Sequence, residues 1–140
     1  MRVFALVAVV LIVVSLLMSA CGGASTPGST SQVDATNLPE IVSVSQTKAL
    51  LSNPNVVILD VREQQEYDQS HIAGVRLIPT GDLPNRLAEI PRDKTVIVTC
   101  RSGNRSAAAT KFLREQGYTD VHNMEGGIIA WQAAGYPVEK

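Results

Sequence analysis

Cysteine is scarce in this chain: its 140 residues hold two, Cys21 and Cys100. The first sits in an N-terminal export segment, so no internal disulfide is expected and Cys100 is left as an unpaired thiol. Charge of one sign is lacking too. Twelve Lys and Arg stand against 13 Asp and Glu, a formal net of −1 at pH 7, and no basic stripe offers the footprint of a nucleic-acid binder. Aromatic residues make up only 4% of the chain, and Tyr67, Phe112 and Trp131 read as core or helix-packing residues. Beyond the N-terminal segment there is no internal repeat and no low-complexity tract, which excludes a stacked repeat array.

What is present begins with an apolar run. Arg2 is followed by almost unbroken apolar sequence from Val3 to Met18, then Ser19, Ala20 and Cys21, then GGASTPGSTSQ. This is the pattern of a bacterial export signal over residues 1–20. The tetrapeptide MSAC resembles a lipobox, in which Cys21 is diacylated and becomes the first residue of the mature chain. Such a lipid would tether the protein to a membrane face outside the cytoplasm. An uncleaved signal anchor is the alternative, because the run is slightly long for a signal and slightly short for a spanning helix. Residues 21–37 then comprise the lipidated cysteine and a Gly, Ser, Thr and Pro linker that cannot bury enough apolar surface to order itself. Removing residues 1–20 takes away Arg2 and no acid, so 11 basic residues remain against 13 acidic ones. A single folded domain is expected over residues 38–140.

Within that domain, strands and helices alternate. Ser45 can cap a short helix through Leu51, ended by the Asn53–Pro54 turn. The run Val56 to Leu59 reads as a strand buried on both faces, with Asp60, Val61 and Arg62 at its carboxyl end. QQEYDQS reads as a brief helix, Val75 to Ile78 as a short strand ended by Pro79, and Leu83 to Ile90 as a helix with Leu83, Leu87 and Ile90 on one face. Thr95 to Thr99 is a strand, Arg105 to Gln116 a helix stopped by Gly117, Val121 to Met124 a weak strand, and Ile128 to Ala134 a last helix started by Gly126 and Gly127. Alternation of this kind implies an α/β fold with a mostly parallel sheet covered on both sides. In such sheets sites form beyond the carboxyl ends of the strands, where Asp60 to Arg62 and Cys100 to Arg105 fall.

The segment TVIVTCRSGNRS puts Cys100 where a β-branched run stops and a glycine-containing loop opens a helix. Loop N–H groups then converge beside the positive end of that helix, forming an anion nest around the sulfur. Arg101 and Arg105 add two guanidinium charges, so the thiol should titrate below its free value of about 8.5 and serve as the nucleophile. A packing cysteine would call for an apolar setting, whereas Arg101, Ser102, Gly103, Asn104, Arg105 and Ser106 follow.

Over Leu38 to Lys140 the chain resembles a single-domain rhodanese of the sulfurtransferase family. LDVREQQEY resembles the family's first signature, HIAGVRLIP its second, CRSGNRS its active-site loop and GYTDVHNMEGGIIAW its closing segment. Ser70 and Ala73 depart from the glycine and proline common in the family, away from the chemistry. The resemblance implies a three-layer α/β/α domain with a central five-stranded, mostly parallel sheet. It also implies a catalytic Cys100 that alternates between thiolate and persulfide, without metal or organic cofactor. Thiosulfate or a similar donor, and cyanide or a thiol acceptor, would be the partners of a monomeric enzyme. The ring of N–H groups from Arg101 to Ser106 would hold the persulfide's negative charge as an oxyanion hole does.

Among the neighbours, Arg101 is expected to face the incoming anion, and Arg105 to brace the loop by pairing with Asp60 or Glu66. Asp60 and Arg62 are expected to be structural, with substrate contact by Arg62 the lesser alternative. His71 is assigned a structural hydrogen bond and His122 no role. Two other readings stand beside the transferase: a non-catalytic sulfur carrier or interaction module, and a phosphatase or arsenate reductase. Phosphatases of the same fold carry five residues between cysteine and arginine; here there are four, Arg101 to Asn104, a ring suited to one sulfur atom rather than a phosphate.

Overall fold

The computed structural model describes residues 33–140; the expected export signal, Cys21 and nearly all of the linker lie outside the described residues. A 3-10 turn, Ala35–Asn37, capped by Asp34, leads into the domain. Five strands follow: β1 (Ile41–Val42), β2 (Val56–Asp60), β3 (Arg76–Leu77), β4 (Thr95–Thr99) and β5 (Val121–Met124). They form one sheet in the order β1-β5-β4-β2-β3, every pair parallel, with β2 and β4 in register from Val56 opposite Thr95 to Asp60 opposite Thr99. The helices are α1 (Val44–Leu50), α2 (Gln64–Gln69), α3 (Asn104–Glu115) and α4 (Gly127–Ala133).

Strand alternation splits the core between the two faces of the sheet. Val96 and Val98 point to the side of Leu59, Ala109 and Leu113, beneath α3. Ile97 and Ile58 point to the side of Leu50, Met124 and Trp131, beneath α1 and α4. Residues of β4 are therefore buried on both faces, which explains why its sequence is β-branched without a polar stripe. Each fully buried aliphatic side chain contributes about 1.5–3 kcal/mol.

Two expectations are corrected. The first is the cap of α1, which is Ser43 rather than Ser45. The Gln46 amide donates to Ser43 Oγ at 3.2 Å and Gln46 Oε1 accepts from the Ser43 amide at 2.9 Å, a reciprocal pair that Ser45 cannot form. The fifth strand implied by the resemblance is present, although no apolar run announced it. β1 has two residues, one exposed and one buried, and exists because β5 lends it an edge: the Asn123 amide donates to Glu40 O at 3.0 Å and the Glu125 amide to Val42 O at 2.9 Å. The second correction is the expected helix from Leu83 to Ile90, which is two 3-10 turns, Leu83–Asn85 and Leu87–Glu89. Arg86 breaks the run at φ −120°. The last-turn carbonyls find partners outside the segment, Leu87 O in the Tyr118 hydroxyl at 2.6 Å and Glu89 O in Arg76. Leu83 and Ile90 still enter the core, as their spacing required.

Candidate active site

Parallel β2 and β4 end side by side, so Val61 and Cys100 emerge from the same edge of the sheet; the Val61 amide donates to Thr99 O at 3.0 Å. Cys100 follows β4 directly and is 1% exposed, the free cysteine of the described residues. Its sulfur accepts from the Gly103 amide at 3.1 Å and lies 3.3 Å from Ser106 Oγ. Burial pushes the thiol up. The Ser106 hydroxyl and the amides of Ser106, Ser102 and Gly103 together outweigh that effect and hold it below the ordinary cysteine value.

The Ser106 hydroxyl has one proton and two acceptors, since Gly103 O stands 3.0 Å from the same oxygen. A charged sulfur is the stronger acceptor, so ionisation of Cys100 draws that proton onto the thiolate. The expected ring of donors is thus made by Ser102, Gly103 and Ser106. Arg101 and Asn104 contribute exposed side chains to its rim.

Two glycines close the loop. Gly103 caps α3 at φ 95°, in the left-handed region that favours glycine. A Cβ there would stand 3.0 Å from the Gly126 nitrogen. Behind the loop, α4 presents its first amides: Ile128 N donates to Cys100 O at 2.8 Å and Ile129 N to Arg101 O at 3.1 Å. With those carbonyls turned toward α4, the loop amides turn toward the sulfur. Gly127 makes this approach possible, at φ 57° and with space for no side chain. The sequence marked Gly126 and Gly127 as a helix start; that they back the nucleophile's loop depends on a contact across 27 residues and had no local signal.

Asp60 and Arg62 form a buried pair. Arg62 Nη2 lies 2.6 Å from Asp60 Oδ2, Nε reaches both carboxylate oxygens, and the Arg62 amide donates to Oδ1 at 3.0 Å. The guanidinium also donates to the carbonyls of Glu66 and Ser70, at 3.3 and 2.9 Å. Arg62 therefore fastens α2 to the end of β2, and its second Nη1 proton, unmatched by any acceptor among the described residues, is left at the groove that Arg62 helps to line. Arg105 pairs with Glu66, not with Asp60, through two bonds of 2.7 Å. That fork holds the Glu66 carboxyl down at about 2 and raises Arg105 further above its ordinary value.

Arg101 is exposed and borders a shallow groove between α2 and α4, shared with Glu66, Gln69, Ile129 and Gln132. His71 stacks on Tyr67 with ring centroids 3.9 Å apart, and its Nδ1 lies 3.1 Å from Tyr67 O, a structural contact as expected. His122 has more to do than the sequence indicated: Nδ1 lies 2.7 Å from Pro39 O and Nε2 2.6 Å from Asp120 Oδ1, fixing the start of the domain to β5.

The chain is similar in sequence and in fold to known proteins. The family model described as rhodanese-like domain matches residues 43–134. A curated relative named sulfurtransferase, from Allochromatium vinosum, is 40% identical over 99 residues, covering 71% of this chain and 92% of its own. Thiosulfate sulfurtransferase GlpE of Pseudoalteromonas translucida is 37% identical over 93 residues, 66% of this chain and 89% of that one. The crystal structure of a rhodanese-related protein from Thermoplasma volcanium superposes with a TM-score of 0.67 at 35% identity, covering 72% of this chain and 98% of that one. On matching family model, relatives and fold alike, the chain belongs to the rhodanese-like family.

Proposed function

We propose that this chain is a sulfurtransferase that moves sulfane sulfur from a donor such as thiosulfate to cyanide or a thiol, through a persulfide on Cys100. The observation that carries the reading is the Cys100 sulfur facing the Gly103 amide and the Ser106 hydroxyl inside a ring with four residues between cysteine and arginine. The relatives' names support the same class of reaction. Thiolate Cys100 attacks the outer sulfur of the donor; with thiosulfate the S–S bond breaks and sulfite leaves with the electron pair. The terminal sulfur of the persulfide then carries negative charge, and the amides of Ser102, Gly103 and Ser106 are the groups available to stabilise it. A nucleophilic acceptor removes that sulfur and restores the thiolate, so the kinetics are ping-pong.

Intact mass after incubation with thiosulfate tests this. A gain of one sulfur that cyanide reverses and Cys100→Ser lacks is expected; phosphatase activity with no sulfur gain would overturn the reading. A stable persulfide that no small acceptor discharges would instead mark a sulfur carrier.

We propose further that export and a lipid on Cys21 anchor the domain outside the cytoplasm, a reading supported by the MSAC motif after the apolar run. Labelled palmitate is expected in the full chain and not in Cys21→Ala; equal labelling of both would overturn it.

A further inference from the structure

Three guanidinium groups stand around the Cys100 loop, yet they do not present three charges. Arg62 is buried and neutralised by Asp60 at 2.6 Å. Arg105, whose charge lies close enough to be felt by the Cys100 sulfur, is held in the two-bond fork of Glu66. Arg101 alone has no acid within salt-bridge distance among the described residues. Glu66 and Arg101 border the same groove, so an anion arriving there meets one uncompensated cation and one carboxylate already committed to Arg105. Beside them Ile129 is 47% exposed, an apolar surface at the mouth of a charged site.

We propose that Glu66 is a specificity-determining residue for the sulfur donor: by masking Arg105 it sets the site against dianionic donors such as thiosulfate and toward singly charged donors whose far end is organic. The inference rests on the sulfurtransferase reading and names the donor class of that same site. The chemistry is the same for both classes. Cys100 thiolate attacks the outer sulfur of R–SO2–S⁻, a new S–S bond forms, the donor's S–S bond breaks, and the electron pair leaves on the sulfinate R–SO2⁻. The negative charge of the outer sulfur stays with the persulfide, and no oxidant or reductant is required. With R an alkyl group, the donor carries one charge less than thiosulfate and offers Ile129 an apolar contact.

The test compares thiosulfate with methanethiosulfonate, cyanide being the acceptor, in the full chain, in Glu66→Gln and in Glu66→Gln/Arg105→Gln. Glutamine keeps the length of the side chain and an acceptor for the Glu63 amide, which Glu66 Oε2 accepts at 3.2 Å. Unmasking Arg105 is expected to raise kcat/KM for thiosulfate about tenfold, through KM, and for methanethiosulfonate about threefold, with both gains shrinking at high salt. The double variant, neutral again, should return the ratio of the two donors to that of the parent. Arg105→Gln alone should act in the opposite direction, which keeps the proposal open to refutation if Glu66→Gln folds poorly. Equal changes for both donors, or a fall in kcat alone, would overturn the proposal and reduce Glu66 to a brace. If the parent chain transfers sulfur from neither donor, the sulfurtransferase reading falls and this inference with it; transfer with an unshifted ratio overturns the inference only.

Discussion

Gly127 lies so close behind the nucleophile that a Cβ placed on it would stand 2.4 Å from the carbonyl oxygen of Cys100. It would also stand 2.7 Å from the Arg101 carbonyl, so the clash is with backbone on two sides and no rotamer relieves it. A helix start is thus the back wall of the candidate site. It holds the carbonyls of Cys100 and Arg101 away from the sulfur, through the amides of Ile128 and Ile129.

Gly127→Ala is therefore expected to act twice. The left-handed φ of 57° and the displaced loop together cost about 2–4 kcal/mol of stability, read from the urea midpoint. The displaced amides also let the Cys100 thiol titrate higher, read from the pH dependence of its alkylation. A variant that keeps both the parent midpoint and the parent titration would show that the loop does not depend on this contact.

Ser106→Ala separates the hydroxyl from the amides. The hydroxyl heads the influences that lower the Cys100 thiol, and a hydrogen bond to a charged acceptor is worth about 1.5–3 kcal/mol. Its loss should therefore raise the thiol, moving the titration midpoint to higher pH. Mass spectrometry of the Cys100 peptide, alkylated across a pH series, measures the midpoint. An unmoved midpoint would assign the hydroxyl to Gly103 O alone.

These two residues also show where the sequence is readable. Ser106 lies six residues from Cys100, on the first turn of α3, and the loop motif carried it. Gly127 acts through α4 packing on the loop, a contact that periodicity cannot register. The same division runs through the fold. β2 opens on an apolar run and β4 is β-branched throughout, and both were legible, whereas β1 is two residues long and owes its existence to hydrogen bonds from β5. Leu83, Leu87 and Ile90 had a helical spacing and do face the core, but Arg86 at φ −120° breaks the segment into two 3-10 turns, a local departure that the spacing of apolar residues does not register. Arg105 had two acids within plausible reach in sequence, and only the prior claim of Arg62 on Asp60 decides for Glu66.

Arg62 and Arg101 are expected to respond in opposite ways. Asp60→Asn leaves the Arg62 guanidinium buried without its counter-charge, a change that costs about 3–5 kcal/mol in buried pairs. Arg101→Ala, at an exposed position, should leave stability within about 0.5 kcal/mol of the parent. The same variant should raise KM for an anionic donor about tenfold, because the uncompensated cation of the groove is gone. Denaturant titration and steady-state kinetics on both variants decide the matter; a large kinetic defect in Arg101→Ala with a matching loss of stability would place Arg101 in the framework instead.

The Glu66–Arg105 fork gives the domain a defined acid response. Glu66 titrates at about 2 in the folded protein, against an ordinary value of 4.5, because of the hydrogen bonds from Arg105. A depressed carboxyl stabilises the fold fully above its unfolded value, and that stabilisation is lost as pH falls from 4.5 toward 2. The partners are 37% and 30% exposed, so solvent screens the pair and the contribution is about 1 kcal/mol, not the larger figure the shift alone would imply. The stability difference between the parent and Glu66→Gln should therefore be about 1 kcal/mol near neutral pH and shrink toward zero near pH 2. Arg105 keeps its proton across the whole interval, which assigns the change to the carboxylate. Urea unfolding at a series of pH values measures the difference directly, and a gap that stays constant through the acid range would mean that Glu66 supports the loop by shape rather than by charge.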